Sequence, residues 1–159
     1  MSDIDDLPYE VHTGRELELM LSGVKPLAYF VDEYPADPCE EIIPEASFHE
    51  HVQSGKLEKR EYVETLAGAP PANRKDLKGF RCVLYARPNE GWRIDAYIDM
   101  KARAKHSGWS EDLERLEGRL LGYEDWQTDA WIEMLLARPQ AKNFPWLVRL
   151  AAKRRLQNA

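Results

Sequence analysis

The chain has 159 residues, 43% of them apolar and 31% charged, which is enough to build one core and cover it. With 9 Gly and 10 Pro it is neither collagenous nor low in complexity, and no apolar run approaches the roughly 20 residues of a membrane span. A net charge of −6 and a pI near 5.3 disfavour nucleic acid as a partner. The acidic start, Met1 to Asp6, has no apolar stretch behind it, so neither a secretory signal nor a transit peptide is expected and a bacterial-type cytoplasmic protein is.

The expected elements follow in chain order. Thr13 and Glu16 have the spacing of a capping box, Leu17, Met20 and Leu21 follow at helical spacing, and Gly23 supplies a left-handed stop. Leu27 to Tyr34 is an apolar, aromatic run and is expected as a strand covered on both sides. Residues 35–43 form a Pro- and acid-rich loop. Pro44 opens a short helix to about Ser54, with Phe48 and Val52 on its buried stripe and Gly55 closing it. Leu57 to Thr65 alternates but is too polar for a central strand, so it belongs at an edge. Residues 66–78 form the longest loop.

The stretch Gly79 to Arg103 reads as a hairpin. A three-residue loop, Asn89-Glu90-Gly91, places Phe80, Cys82, Leu84 and Ala86 opposite Met100, Ile98, Ala96 and Ile94, all apolar. The other face then carries Arg81, Val83, Tyr85 and Arg87 opposite Asp99, Tyr97, Asp95 and Arg93. The last third is helical. Ser110 caps a helix carrying Leu113, Leu116, Leu120 and Leu121 and ended by Gly122; Glu124 or Asp125 starts another, up to Pro139; Asn143-Phe144-Pro145 starts a third. The expected fold is a single α+β domain over 1–159, with flexible ends at 1–12 and 157–159. Its order is α-β-α-β-β-β-α-α-α, with an antiparallel or mixed sheet of about four strands and helices packed on one face.

Few residues carry recognisable chemistry. Cys39 and Cys82 lie far apart with no His or Cys at ligand spacing, so both are expected as reduced thiols, Cys82 as a small core residue. His49 and His51 sit among carboxylates, but residues two apart on a helix point about 200° apart and cannot chelate one ion. His12 and His106 read as surface residues. No nucleophile elbow, phosphate loop or dinucleotide fingerprint is present. The expectation is therefore no catalytic residue, no metal and no cofactor.

Two features point to binding. Residues 1–50 hold 13 acidic and 2 basic residues, whereas residues 138–159 hold 6 basic and no acidic ones. An acidic patch of that kind attracts a basic partner. The polar hairpin face gathers Arg81, Tyr85, Arg87, Arg93, Asp95, Tyr97 and Asp99, residue types that carry interface energy. The sequence thus suggests a small acidic protein-binding module (an adaptor, inhibitor or immunity-like protein) that masks a basic surface of a partner protein, with no membrane role. The alternative is a small enzyme, a hydrolase for example, using an Asp and a Tyr of the same hairpin as base and acid.

Overall fold

The computed structural model describes residues 4–159. Among these, six α-helices and one three-stranded antiparallel sheet form an α+β architecture. In chain order the elements are α1 (Glu16–Leu21), β1 (Leu27–Tyr34), α2 (Glu45–Gln53), β2 (Glu58–Thr65), β3 (Gly79–Ala86), α3 (Trp92–Ser107), α4 (Glu111–Leu121), α5 (Asp125–Ala137) and α6 (Pro145–Gln157). No helix among the described residues is long and apolar enough to cross a membrane. The chain divides into two compact units. Arg15–Asp95 form the sheet unit, and the segment up to Gly14 with Ala96–Ala159 forms the helical unit.

In the sheet unit the strand order is β1-β3-β2. The apolar strand β3 is therefore central, and the charged β2 lies at an edge, where Lys and Glu side chains discourage further pairing. Ala28 of β1 and Lys59 of β2 both pair with Tyr85 of β3, so one face of the sheet carries Ala28, Phe30, Val83 and Tyr85. Met20 of α1, Ile43, and Phe48 of α2 close over that face; Phe48 stacks on Tyr85 with ring centroids 4.1 Å apart. β2 and β3 approach so closely at Gly79 that a Cβ there would lie 2.1 Å from the Glu64 carbonyl oxygen.

Three expectations are corrected here. The sheet has three strands, not about four. The expected second strand of the hairpin is the helix α3, and β3 pairs with β1 and β2 instead. The physical reason lies in an ambiguous period. Ile94, Ala96, Ile98 and Met100 alternate, but Ile94, Tyr97 and Met100 also recur every three residues, and these three are the buried ones. The Ala-, Lys- and Arg-rich continuation through Lys105 favours the helix. Finally, α1 begins at Glu16 with Arg15 at its N-cap and no side-chain cap, so the Thr13–Glu16 box does not form.

The helical unit follows its local signals closely. The Ser110 hydroxyl accepts the Leu113 amide at 3.2 Å, and Gly122 ends α4 with φ 94°. Glu124 and Gln127 form a reciprocal capping box on α5. Ile132, Trp146, Leu147 and Leu150 build its core, with Trp109 and Leu135 packed against them. Residues 1–3 of the expected flexible N-terminal end lie outside the described residues. Residues 4–14 belong to this unit: Ile4–Asp6 make a 3-10 turn, the backbone N–H of His12 donates to the Tyr123 hydroxyl at 2.9 Å, and its ring stacks on Tyr123 at 3.9 Å. His12 is buried rather than a surface residue. At the other end α6 runs to Gln157.

Candidate functional site

The residues expected on one hairpin face do not share a face. Tyr85 is 1% exposed and belongs to the sheet-unit core, and Tyr97 is 2% exposed and donates its hydroxyl to Glu117 at 2.8 Å. Arg81 is bound by Glu45 and Glu61. Arg87 donates to the Gly23 carbonyl at 3.3 Å, and Arg93 bonds Glu90 at 2.6 Å while lying over the Trp92 ring. Asp95 pairs with Arg60, and Asp99 pairs with Arg103 one turn along α3. Each charge is thus taken by a neighbour, and the two tyrosines are interior. The face fails because β3 is central and α3 is a helix, so side chains four apart replace those directly across a strand. Asp95 and Asp99 are exposed whereas Tyr85 and Tyr97 are buried, so the acid–base pairing of the alternative enzyme reading is not assembled on these residues.

Arg81, Glu45, Glu61 and Lys59 form a network across the sheet-unit face. Lys59 reaches Glu45 at 2.9 Å and Glu61 at 3.8 Å. Glu45 stands in the first turn of α2, where a carboxylate also complements the helix dipole. The hydrogen bond from Arg81, then that from Lys59, overcomes partial burial and pulls the Glu45 carboxyl down to about 2.

The acidic segment between β1 and α2 is held at several points. No Lys or Arg occurs in residues 26–55, which hold seven carboxylates. The amides of Ile42 and Ile43 both bond the Cys39 carbonyl, at 3.1 and 2.9 Å, and Ile43 is buried. The Glu40 carboxylate accepts the Ala46 amide at 2.6 Å. Arg74 pairs with Glu33 and donates to the Pro35 carbonyl at 3.0 Å, and the Lys78 amide bonds the Tyr34 carbonyl at 2.8 Å. Asp37 and Glu41 remain exposed, with no cationic partner among the described residues. Tyr34 is 38% and Ile42 45% exposed along the same segment. This turn presents negative charge and apolar side chains on a backbone fixed by its own hydrogen bonds.

The helical unit contains a cavity of about 210 Å³ that sequence reasoning missed. Tyr9, Tyr123 and Trp131 contribute aromatic walls, and Glu114, Glu117 and Thr128 contribute polar groups. Glu114 accepts two indole N–H groups, from Trp109 at 2.6 Å and Trp131 at 2.7 Å. Burial raises the Glu117 carboxyl above the ordinary carboxylate range, with the Tyr97 hydrogen bond and Lys101 opposing and Glu114 reinforcing the shift. Burial, then Tyr123, pushes the Tyr9 phenol up to about 12. One signal was present in the sequence: Glu117 stands four residues after Leu113 and four before Leu121, a carboxylate inside an apolar stripe. The contribution of residues 4–13 carried no such signal.

No group of three or more His, Cys, Asp or Glu side chains among the described residues is arranged to hold a metal ion. Cys82 is buried and Cys39 half-buried, both as free thiols. Comparison with models of protein families, with curated proteins and with solved structures finds no match in any of the three.

Proposed function

We propose that this protein is a small acidic protein-binding module, an adaptor, inhibitor or immunity-like protein, that masks a basic surface of a partner protein through residues 34–44 and the start of α2. The observation that carries this reading is the cation-free segment 26–55, with Asp37 and Glu41 exposed beside Tyr34 and Ile42. Exposed carboxylates steer a basic surface into contact. Exposed apolar side chains supply the desolvated centre that interface energy needs. The turn is pinned by Cys39, Glu40 and Arg74, so little ordering cost falls on association.

The test is affinity capture on the immobilised full chain from cells that express it, with mass spectrometry, compared with the triple variant D37N/E41Q/I42A. A protein with a basic surface is retained by the parent, released as NaCl rises over a few hundred millimolar, and retained roughly tenfold less by the variant. Circular dichroism of the variant matches the parent, because the three side chains are exposed. Capture that is equal in parent and variant, or indifferent to salt, overturns the reading.

A further inference from the structure

We propose that the aromatic-walled cavity of the helical unit binds a small organic cation, a primary or quaternary ammonium with a short apolar body. At about 210 Å³ the space lies below the ~300–1,000 Å³ of pockets for drug-sized ligands, which suits a compact guest. Its lining contains no Lys, Arg or His and two carboxylates, Glu114 and Glu117. Both carboxylates are half-buried, and the hydrogen bonds given to them come from neutral donors, the indoles of Trp109 and Trp131 and the hydroxyl of Tyr97. Neutral donors satisfy lone pairs without cancelling a carboxylate's charge. Burial favours the neutral form of Glu117, and Lys101, like any cation brought close, favours its charged form. A cationic guest completes that balance.

The walls suit the same guest. Tyr9, Tyr123 and Trp131 surround the space, and aromatic faces attract ammonium groups through their ring quadrupole while accommodating methyl and methylene groups. Two of the three rings are fixed in place. The Trp131 indole is tied to Glu114, and Tyr123 is held by the His12 ring and amide. A third constraint is the approach of α4 and α5: a Cβ at Gly118 would lie 2.4 Å from the Thr128 Oγ1, so that glycine lets the two helices meet at the cavity. A site whose walls are locked before the guest arrives loses less freedom on binding.

The experiment is a titration of the full chain, followed by NMR of the tryptophan indole N–H signals, with choline and with its neutral carbon isostere 3,3-dimethylbutan-1-ol. The two probes share shape and differ in charge. Choline shifts the Trp131 indole signal saturably, and the alcohol binds at least about tenfold more weakly. Glu117→Gln, which keeps an acceptor for Tyr97, weakens choline binding by a similar factor and leaves binding of the alcohol unchanged. Equal affinity for the two probes, or a Trp131 signal that choline does not move, overturns the proposal. The comparison of the two probes on the unmodified chain decides the question even if the variant does not fold. Its outcome is independent of residues 34–44.

Discussion

Glu45 in the sheet unit and Glu117 in the helical unit are both hydrogen-bonded carboxylates, yet they are handled in opposite ways. Glu45 meets two cations at a partly exposed sheet face, and its carboxyl is drawn down to about 2. Glu117 is more deeply covered and meets a tyrosine hydroxyl, with a second carboxylate nearby, and its carboxyl is pushed up. The contrast shows that a hydrogen bond alone does not set the charge state. The charge of the donor and the loss of water decide between the two outcomes. It also separates two uses of acidity: one carboxylate ties a helix to a sheet, the other lines a cavity.

The comparison can be broken first by removing the core beneath the Glu45 network. Phe48→Ala deletes a buried ring stacked on Tyr85 and packed edge-on against Phe30, and is expected to cost ~3–5 kcal/mol, read by urea denaturation. Hydrogen exchange then shows lost protection across β1, β3 and β2. A smaller loss of ~1–3 kcal/mol is expected for Gly79→Ala, because its methyl group meets the Glu64 carbonyl, a backbone atom that moves only with the strand.

The two carboxylates give the sharper test, since their contributions have opposite signs with pH. The folded pKa of Glu45 lies below its unfolded value, so its contribution is complete above the ordinary carboxylate range and is lost as pH falls toward about 2. Glu45→Gln is expected to cost ~1 kcal/mol at neutral pH and to flatten that acid loss, measured as urea midpoints between pH 2 and 7. The folded pKa of Glu117 lies above its unfolded value. Its contribution is present below the ordinary range and is lost as pH rises through the raised value. Glu117→Gln is therefore expected to leave neutral-pH stability equal or slightly higher, the smallest change of the series, and to remove a decline with rising pH. Midpoints that move in the same direction for both variants would break the comparison.

Much of the chain was legible from local signals. Ser110, Gly122 and Pro145 mark helix ends within a few residues of the observed ones, and β1, α2 and β2 fall where aromatic content, Pro44 and charge alternation put them. Such signals act over one or two turns of chain, so a sequence displays them directly. Residues 92–103 are ambiguous because Ile94 and Met100 satisfy a period of two and a spacing of three alike; the burial of Tyr97, together with the helix-favouring residues 101–105, separates the cases. The candidate sites divide the same way. The acidic turn is visible as a run without Lys or Arg, whereas the aromatic cavity shows in the sequence only as Glu117 within the apolar stripe of α4, with no sign of Tyr9 and the rest of residues 4–13.

The sequence by itself determined the ends of α4 and the starts of α5 and α6, the edge character of β2 and the acidity of residues 26–55, since each depends on neighbours along the chain. Only the tertiary structure decided that β3 lies between β1 and β2, that Tyr85 and Tyr97 turn inward, and that Tyr123 receives the His12 amide from 111 residues away. Those outcomes depend on which distant surfaces exclude water together, and that competition is settled across the folded chain rather than within any one stretch of it.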